Sequence, residues 1–232
     1  MKKINDIAVI LFARLNSQRI PEKMIKPFAG TTLIDIAVEK IMKSRVIPKE
    51  NIYLYVYEQE LIDIGNKYGI NILERSEKSA NAESSIQDIH EWHKSLNYKY
   101  VVTFNACTPL LKISTIDNFI THYTKSSYDG LFGVIEKRNF FWDREGNLFT
   151  SAPLDEQAPN TKTAEKVYEA AHCLYASKTA WIKDDIWLGR FQEPNDPELY
   201  VVDEYESFDI DYLWQFELAQ GAYIREIKKT RL

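Results

Sequence analysis

Arg14, Ser17, Arg19 and Lys23 fall within one short stretch, Ala13-Arg14-Leu15-Asn16-Ser17-Gln18-Arg19-Ile20-Pro21-Glu22-Lys23. Guanidinium and ammonium groups give charge-assisted hydrogen bonds of about 1.5–3 kcal/mol each, and a phosphate chain is the ligand that uses several at once. The Ser17 hydroxyl adds a donor, while Pro21 stiffens the loop and removes one. Ala13 and Leu15 belong to the same candidate nucleotide-binding loop, and Lys26 extends the cluster, diluted only by Glu22. Neither GxxxxGK[ST] nor GxGxxG occurs, which excludes a P-loop ATPase and the dinucleotide fingerprint.

A second constellation is Phe208-Asp209-Ile210-Asp211. In an extended segment residues two apart face one side, with Cα atoms roughly 6.6 Å apart. Carboxylates so placed repel unless a cation sits between them, and oxygen ligands at roughly 2.1 Å suit Mg²⁺. The competing reading makes Asp211 the N-cap of a final helix and Asp209 a surface acid. A third candidate is Asn105-Ala106-Cys107-Thr108-Pro109-Leu110, where small and polar residues let a ligand approach the backbone. A fourth is Leu73-Glu74-Arg75 followed by Ser84-Ser85, which could frame a base and its phosphates, unless the serines simply cap a helix.

These residues need elements to position them. The run Ile7 to Phe12 reads as a buried strand that empties into the cationic loop, and the helical spacing of Leu33, Ile34, Ala37, Ile41 and Met42 predicts a helix over 33–43. Further strands are expected at 52–57, 70–73 and 100–104, with helices at 60–68, 84–95 and 115–123, Gly69 closing one and Ser114 opening another. Four strand–helix alternations imply a parallel sheet with helices on both faces. Ligands then bind at the carboxyl ends of the strands, where the cationic loop lies.

The second half predicts strands at 130–136, 169–176 and 199–203, an aromatic hairpin over 139–149, a turn-rich stretch at 151–165 and a last helix at 211–222. Residues 1–232 read as one domain, with a hairpin and loop excursion at about 137–165. Phe140-Phe141-Trp142 suits a hairpin core or a subunit contact better than a base-stacking platform. His172 lies in an apolar strand, either facing the crevice or packed in the core. His90 and His93 form an HxxH without an evident third ligand, and Asp184-Asp185 reads as a turn or helix end.

With 45% apolar and 27% charged residues the chain is ordinary for a globular protein, and no apolar run approaches the roughly 18 residues of a membrane span. The start of the chain shows no signal-peptide pattern, so a cytoplasmic location is expected, without membrane insertion. A formal charge of −5 argues against a nucleic-acid surface but leaves room for a local phosphate site. Cys107 and Cys173 form no CxxC pair and read as reduced, buried thiols.

Taken together, the elements resemble the sugar-acid cytidylyltransferases, the CMP-N-acylneuraminate synthetases and related CMP-KDO synthetases. The Arg14…Ser17…Arg19…Pro21…Lys23 loop, with Gly30 and Leu33-Ile34 behind it, resembles their opening motif. Arg75 with Ser79 to Ser85, Asn105 to Leu110, and Ser207 to Asp211 resemble three later ones. The resemblance implies an α/β, Rossmann-like, doubly wound and mostly parallel sheet of the nucleotide-diphospho-sugar transferase (GT-A-like) type. It also implies a small hairpin lobe in the second half, through which such enzymes usually form homodimers. The implied reaction joins CTP to a 2-keto sugar acid, for surface-glycan assembly, releasing pyrophosphate with Mg²⁺ as cofactor.

By the same resemblance Ala13, Arg14, Leu15, Ser17, Arg19 and Lys23 hold the triphosphate. Arg75, Ser84 and Ser85 take the cytidine end, and Asp209 and Asp211 take the metal. Arg14, Lys23 and Asp211 are the candidate catalytic residues. Asn105 reaches the acceptor or its boundary with the nucleotide, with Thr108, His172 and Tyr175 as the other candidate substrate-binding residues. Three departures stand out. Asn105 to Thr108 holds no acid where the KDO branch has one, Leu111-Lys112 replaces an Arg after Pro-Leu, and Ala171-His172 replaces Asn-Gly. The last two fall where the acceptor should bind and leave room for one other than N-acetylneuraminate. Other readings are a nucleotidyltransferase with another nucleotide or a non-sugar acceptor, a GT-A-like glycosyltransferase, and a non-catalytic nucleotide-sugar-binding protein.

Overall fold

Ile7–Phe12 forms the first strand, β1, and its unbroken apolar sequence is what a strand covered on both faces requires. The computed structural model of the protein describes residues 1–81, 85–150 and 160–230. β1 pairs in parallel with β2 (Ile52–Val56) on one side and with β4 (Tyr100–Asn105) on the other, while β3 (Asn71–Glu74) pairs in parallel with β2. β5 (Leu131–Arg138), β6 (Lys166–Lys178) and β7 (Glu198–Val201) complete a seven-stranded sheet in the order β3-β2-β1-β4-β6-β5-β7. β6 runs antiparallel to both β4 and β5, and β7 runs parallel to β5, so β6 opposes the other strands. The expected mostly parallel α/β sheet is therefore present.

The pleat divides β1 between two cores. Ile7, Val9 and Leu11 join the larger one, built with α1 (Leu33–Ile41), α5 (Ile113–Lys125) and α6 (Leu213–Thr230). Ala8 and Ile10 join Tyr55, Trp92, Val101 and Ile182 on the opposite face. α2 (Gln59–Tyr68) ends at Gly69, whose φ of +66° provides the expected left-handed C-cap.

Three expectations need correction. A single helix over 84–95 is not formed. α3 (Glu77–Asn81) precedes the segment, Ser84 lies outside the described residues, and α4 spans only Ile86–Ile89 before a 3₁₀ turn at Glu91–Lys94. The break falls at His90, whose backbone (φ −107°, ψ 35°) leaves the helical region as its ring enters the core. Ser114 does not cap α5. The buried Glu206 reaches across to accept from the Lys112 backbone N–H at 3.1 Å, from the Thr115 hydroxyl and from Lys112 Nζ at 2.7 Å. Glu206→Ala is expected to cost about 2 kcal/mol, the scale of leaving buried donors unpaired, and so to lower the thermal midpoint by roughly 4–8 °C in calorimetry.

The third correction concerns the hairpin. Its strands meet at Trp142 and Leu148, and Asp143 N–H donates to the Asn147 carbonyl across the turn, but its aromatics do not form a core. Trp142 is 61% exposed and Phe149 76%. Of the turn-rich stretch at 151–165, residues 151–159 lie outside the described residues.

Candidate active site

The loop that leaves β1 is anchored by its apolar members, Ala13, Ile20 and Met24, all buried. Arg14, Ser17, Arg19 and Lys23 line a cavity of about 430 Å³ together with Ala13, Arg75 and Cys107. The loop cations and the third-strand arginine, far apart in sequence, thus share one space. Leu15 is placed differently. Its backbone N–H donates to Glu58 Oε1 at 2.7 Å, and the other oxygen of Glu58 is buried without a hydrogen-bond partner among the described residues.

Each cation is fixed from outside the loop. Arg14 Nη1 donates to the Ala80 carbonyl at 3.1 Å. Arg75 is buried, donates to the Ser79 hydroxyl at 3.3 Å and to the Ser79 carbonyl, and lies 4.7 Å from the Tyr55 ring centre. Burial holds its pKa below the usual arginine value. Arg19 pairs with Asp211 at 2.7 Å and lies 5.5 Å from the ring centre of Tyr212. Lys23, 8% exposed, donates to the Ile210 carbonyl and sits 4.0 Å from Asp211.

The segment Asp209–Asp211 is therefore bound to the cationic loop across 187 residues of sequence. Ile210 is buried between the two acids and its N–H donates to the Cys107 carbonyl at 3.1 Å, which ties the segment to the turn after β4. Asp209 Oδ1 is buried without a hydrogen-bond partner among the described residues. Burial, then the neighbouring Asp211, raise the Asp209 pKa above the usual carboxylate value, against the lowering influence of Lys23 and Asn105. The N-cap alternative for Asp211 is set aside by the geometry. Gln215 Oε1 accepts from the backbone N–H of Asp211 at 2.7 Å and of Tyr212 at 2.8 Å, and the Asp211 carboxylate turns to Arg19.

The candidates on the far side are only partly brought together. Asn105 donates to the His172 carbonyl at 3.1 Å and accepts from Cys107 N–H at 2.9 Å. Tyr175 Oη lies 3.4 Å from His172 Nδ1. The core alternative for His172 is excluded, because its side chain is exposed and its φ of +50° marks an irregularity in β6. Thr108 is a correction: it is buried and its hydroxyl donates to the Asn105 carbonyl at 2.7 Å, so it holds the turn and does not face an acceptor. Ser85 accepts from Asp88 N–H at 3.3 Å as the N-cap of α4, does not line the cavity, and so takes the capping alternative. Ser84 lies outside the described residues.

Two contributors were not among the sequence candidates. Glu58 and Tyr212 carry no motif. The signal that could have found Glu58 is an acid directly after the second apolar strand, where loops converge. Burial pushes the Cys107 thiol up to about 11, which keeps it protonated beside Lys23.

His90 of the HxxH packs among aromatic neighbours. Its Nδ1 accepts from Trp92 Nε1 at 3.2 Å and its ring stacks on Trp187 at 3.9 Å. Burial, reinforced by Arg75 and His93, depresses its pKa from 6.5 to about 3. A base whose folded pKa is depressed stabilises the unfolded state by taking up a proton there first. Stability is untouched above pH 6.5 and falls progressively as pH drops toward 3. At pH 5 the loss is expected to be about 2 kcal/mol. Urea unfolding at pH 7 and pH 5 checks this: His90→Phe should show a smaller difference between the two pH values than the parent.

A family profile described as cytidylyltransferase matches residues 8–187. The chain is 27% identical over 97% of its length to N-acylneuraminate cytidylyltransferase A of Danio rerio, of which it spans only 52%. It is 23% identical over 92% of its length to a pseudaminic acid cytidylyltransferase of Campylobacter jejuni, of which it spans 94%. A solved structure of CMP:2-keto-3-deoxy-manno-octonic acid synthetase complexed with CTP superposes with a TM-score of 0.64 at 11% identity, covering 95% of this chain and 99% of that one. At that identity the superposition speaks for the fold alone.

Proposed function

The chain belongs to the cytidylyltransferase family, and from that premise we propose that it couples CTP to an acidic 2-keto sugar, giving a CMP-sugar and pyrophosphate. The single observation that carries this reading is the cavity in which Arg14, Arg19, Lys23 and Arg75 converge while Lys23 and Arg19 hold Asp209–Asp211 beside them. Cations alone would suit any polyanion. Cations tied to a carboxylate pair suit a polyphosphate that is to be cleaved.

Arg14, Arg19 and Lys23 would hold the triphosphate and spread its charge, with Arg75 toward the nucleoside. The acceptor hydroxyl would attack the α-phosphorus in line with the departing pyrophosphate, so the residues act by alignment and by stabilising charge. The donor set suits Mg²⁺: Asp209 Oδ1 is a buried hard oxygen without a hydrogen-bond partner among the described residues, and Asp211 stands beside it. Among the described residues no cluster of three or more His, Cys, Asp or Glu could hold a metal by itself, so phosphate oxygens and water would complete the shell. When bound, Mg²⁺ would neutralise charge on the phosphates.

The exposed hairpin aromatics support a homodimer through this lobe, and no described helix is long and apolar enough to cross a membrane. Residues 1–232 would act as one domain in the cytoplasm, feeding surface-glycan assembly. The test is pyrophosphate release from each of the four NTPs over a panel of sugar acids. Release with CTP and one acid is expected. Release with another NTP in preference, or CTP binding without release for any acceptor, would overturn the reading.

A further inference from the structure

A second cavity of about 220 Å³ adjoins the first, and both are lined by Phe12 and Ile89. His90, Thr103, Asn105, Tyr175 and Trp187 line it, and none of its described lining residues is a lysine or arginine. His90 is 6% exposed and its ring cannot turn freely, being stacked on Trp187 at 3.9 Å and met edge-on by Phe12 at 5.2 Å. The indole of Trp92 can only donate, so its 3.2 Å bond makes His90 Nδ1 an acceptor, and the neutral ring must carry its proton on Nε2. That Nε2–H has no hydrogen-bond partner among the described residues. It is a donor of fixed position on a ring that lines an aromatic cavity, whose described lining residues include no cation.

We propose that His90 is a specificity-determining residue whose Nε2–H donates to an uncharged oxygen, an amide carbonyl or hydroxyl, on the acceptor. This rests on the cytidylyltransferase reading above. A carboxylate is disfavoured in this cavity because no lining cation would compensate its loss of water. The apolar faces of Phe12 and Trp187 suit the carbon skeleton that bears such an oxygen. The acceptor, not the nucleotide, is assigned here because Asn105, in this cavity, begins the turn that holds Asp209–Asp211, whereas the cations that suit a triphosphate line the other cavity.

The experiment is ¹⁵N NMR of the histidine-labelled full chain, titrated with CTP alone and with 2-keto sugar acids bearing acetamido, hydroxyl or no substituent at each ring carbon. Turnover of the same panel is measured separately. The His90 Nε2–H signal should shift with oxygen-bearing acids and stay in place with CTP alone. His90→Phe should lower kcat/KM for such an acid about 10- to 100-fold and for its deoxy counterpart less than about threefold, leaving the KM for CTP unchanged. A shift caused by CTP alone, a proton found on Nδ1, or no shift with any acid would overturn the proposal. If no acid is turned over but the signal still responds to sugar oxygens, the activity reading fails and the His90 assignment stands. Trp92→Phe, which removes the bond that fixes the tautomer, should allow the Nδ1–H form to appear in the spectrum. Its complete absence would likewise count against the assignment.

Discussion

Asp209→Asn is expected to lower turnover by at least about 100-fold while raising the melting temperature by about 2–4 °C. The first effect is the scale of losing one charged contact to the transition state. The second follows from burial. Oδ1 of Asp209 has no hydrogen-bond partner among the described residues, and the carboxyl titrates above its usual range, because it is desolvated and stands beside Asp211. An acid whose folded pKa is raised costs stability at every pH above that pKa, and the cost vanishes as pH falls through it. The neutral isostere removes that charge penalty at pH 7, and its advantage disappears in acid. Calorimetry at pH 7 and pH 4, alongside pyrophosphate release, checks both. Unchanged turnover, or a variant less stable than the parent at pH 7, would refute the expectation. Asp211→Ala should lose activity on the same scale without the gain in stability, since its partner Arg19 is exposed.

Lys23→Met should lower turnover about 10²- to 10³-fold. Methionine keeps much of the buried volume, so the loss reports the ammonium group and not a cavity. Lys23 is the one loop cation that is buried, and it bonds the Ile210 carbonyl between the two acids. It also lowers the Asp209 pKa, so its removal should raise that pKa further. The acid limb of the pH–rate profile should then move to higher pH, against the direction expected if Lys23 only held phosphate. A profile that keeps its limb while turnover falls would separate Lys23 from the acids.

The sheet was legible because β1 is an unbroken apolar run and Gly69 punctuates the next unit. The site was legible where one element carries both pattern and chemistry, as in the loop after β1 and in Asp209–Asp211. What escaped were contacts set by tertiary neighbours. Nothing local to Ser114 announces that Glu206 will gather the start of α5. Nothing in the periodicity of 84–95 shows that His90 leaves the helix for a place between Trp92 and Trp187. Thr108 reads as an available hydroxyl until the turn it closes is seen.

The two cavities are both lined by Phe12 and Ile89, but the cations line one while the aromatic lining with Tyr175 and His90 belongs to the other. Their inheritance can therefore be modular. A lineage could exchange His90, Tyr175 or Trp187 and meet a new partner molecule without touching an arginine, so that drift in one compartment leaves the other intact. Phe12 and Ile89 are the exceptions, positions where a single replacement would be felt on both sides at once.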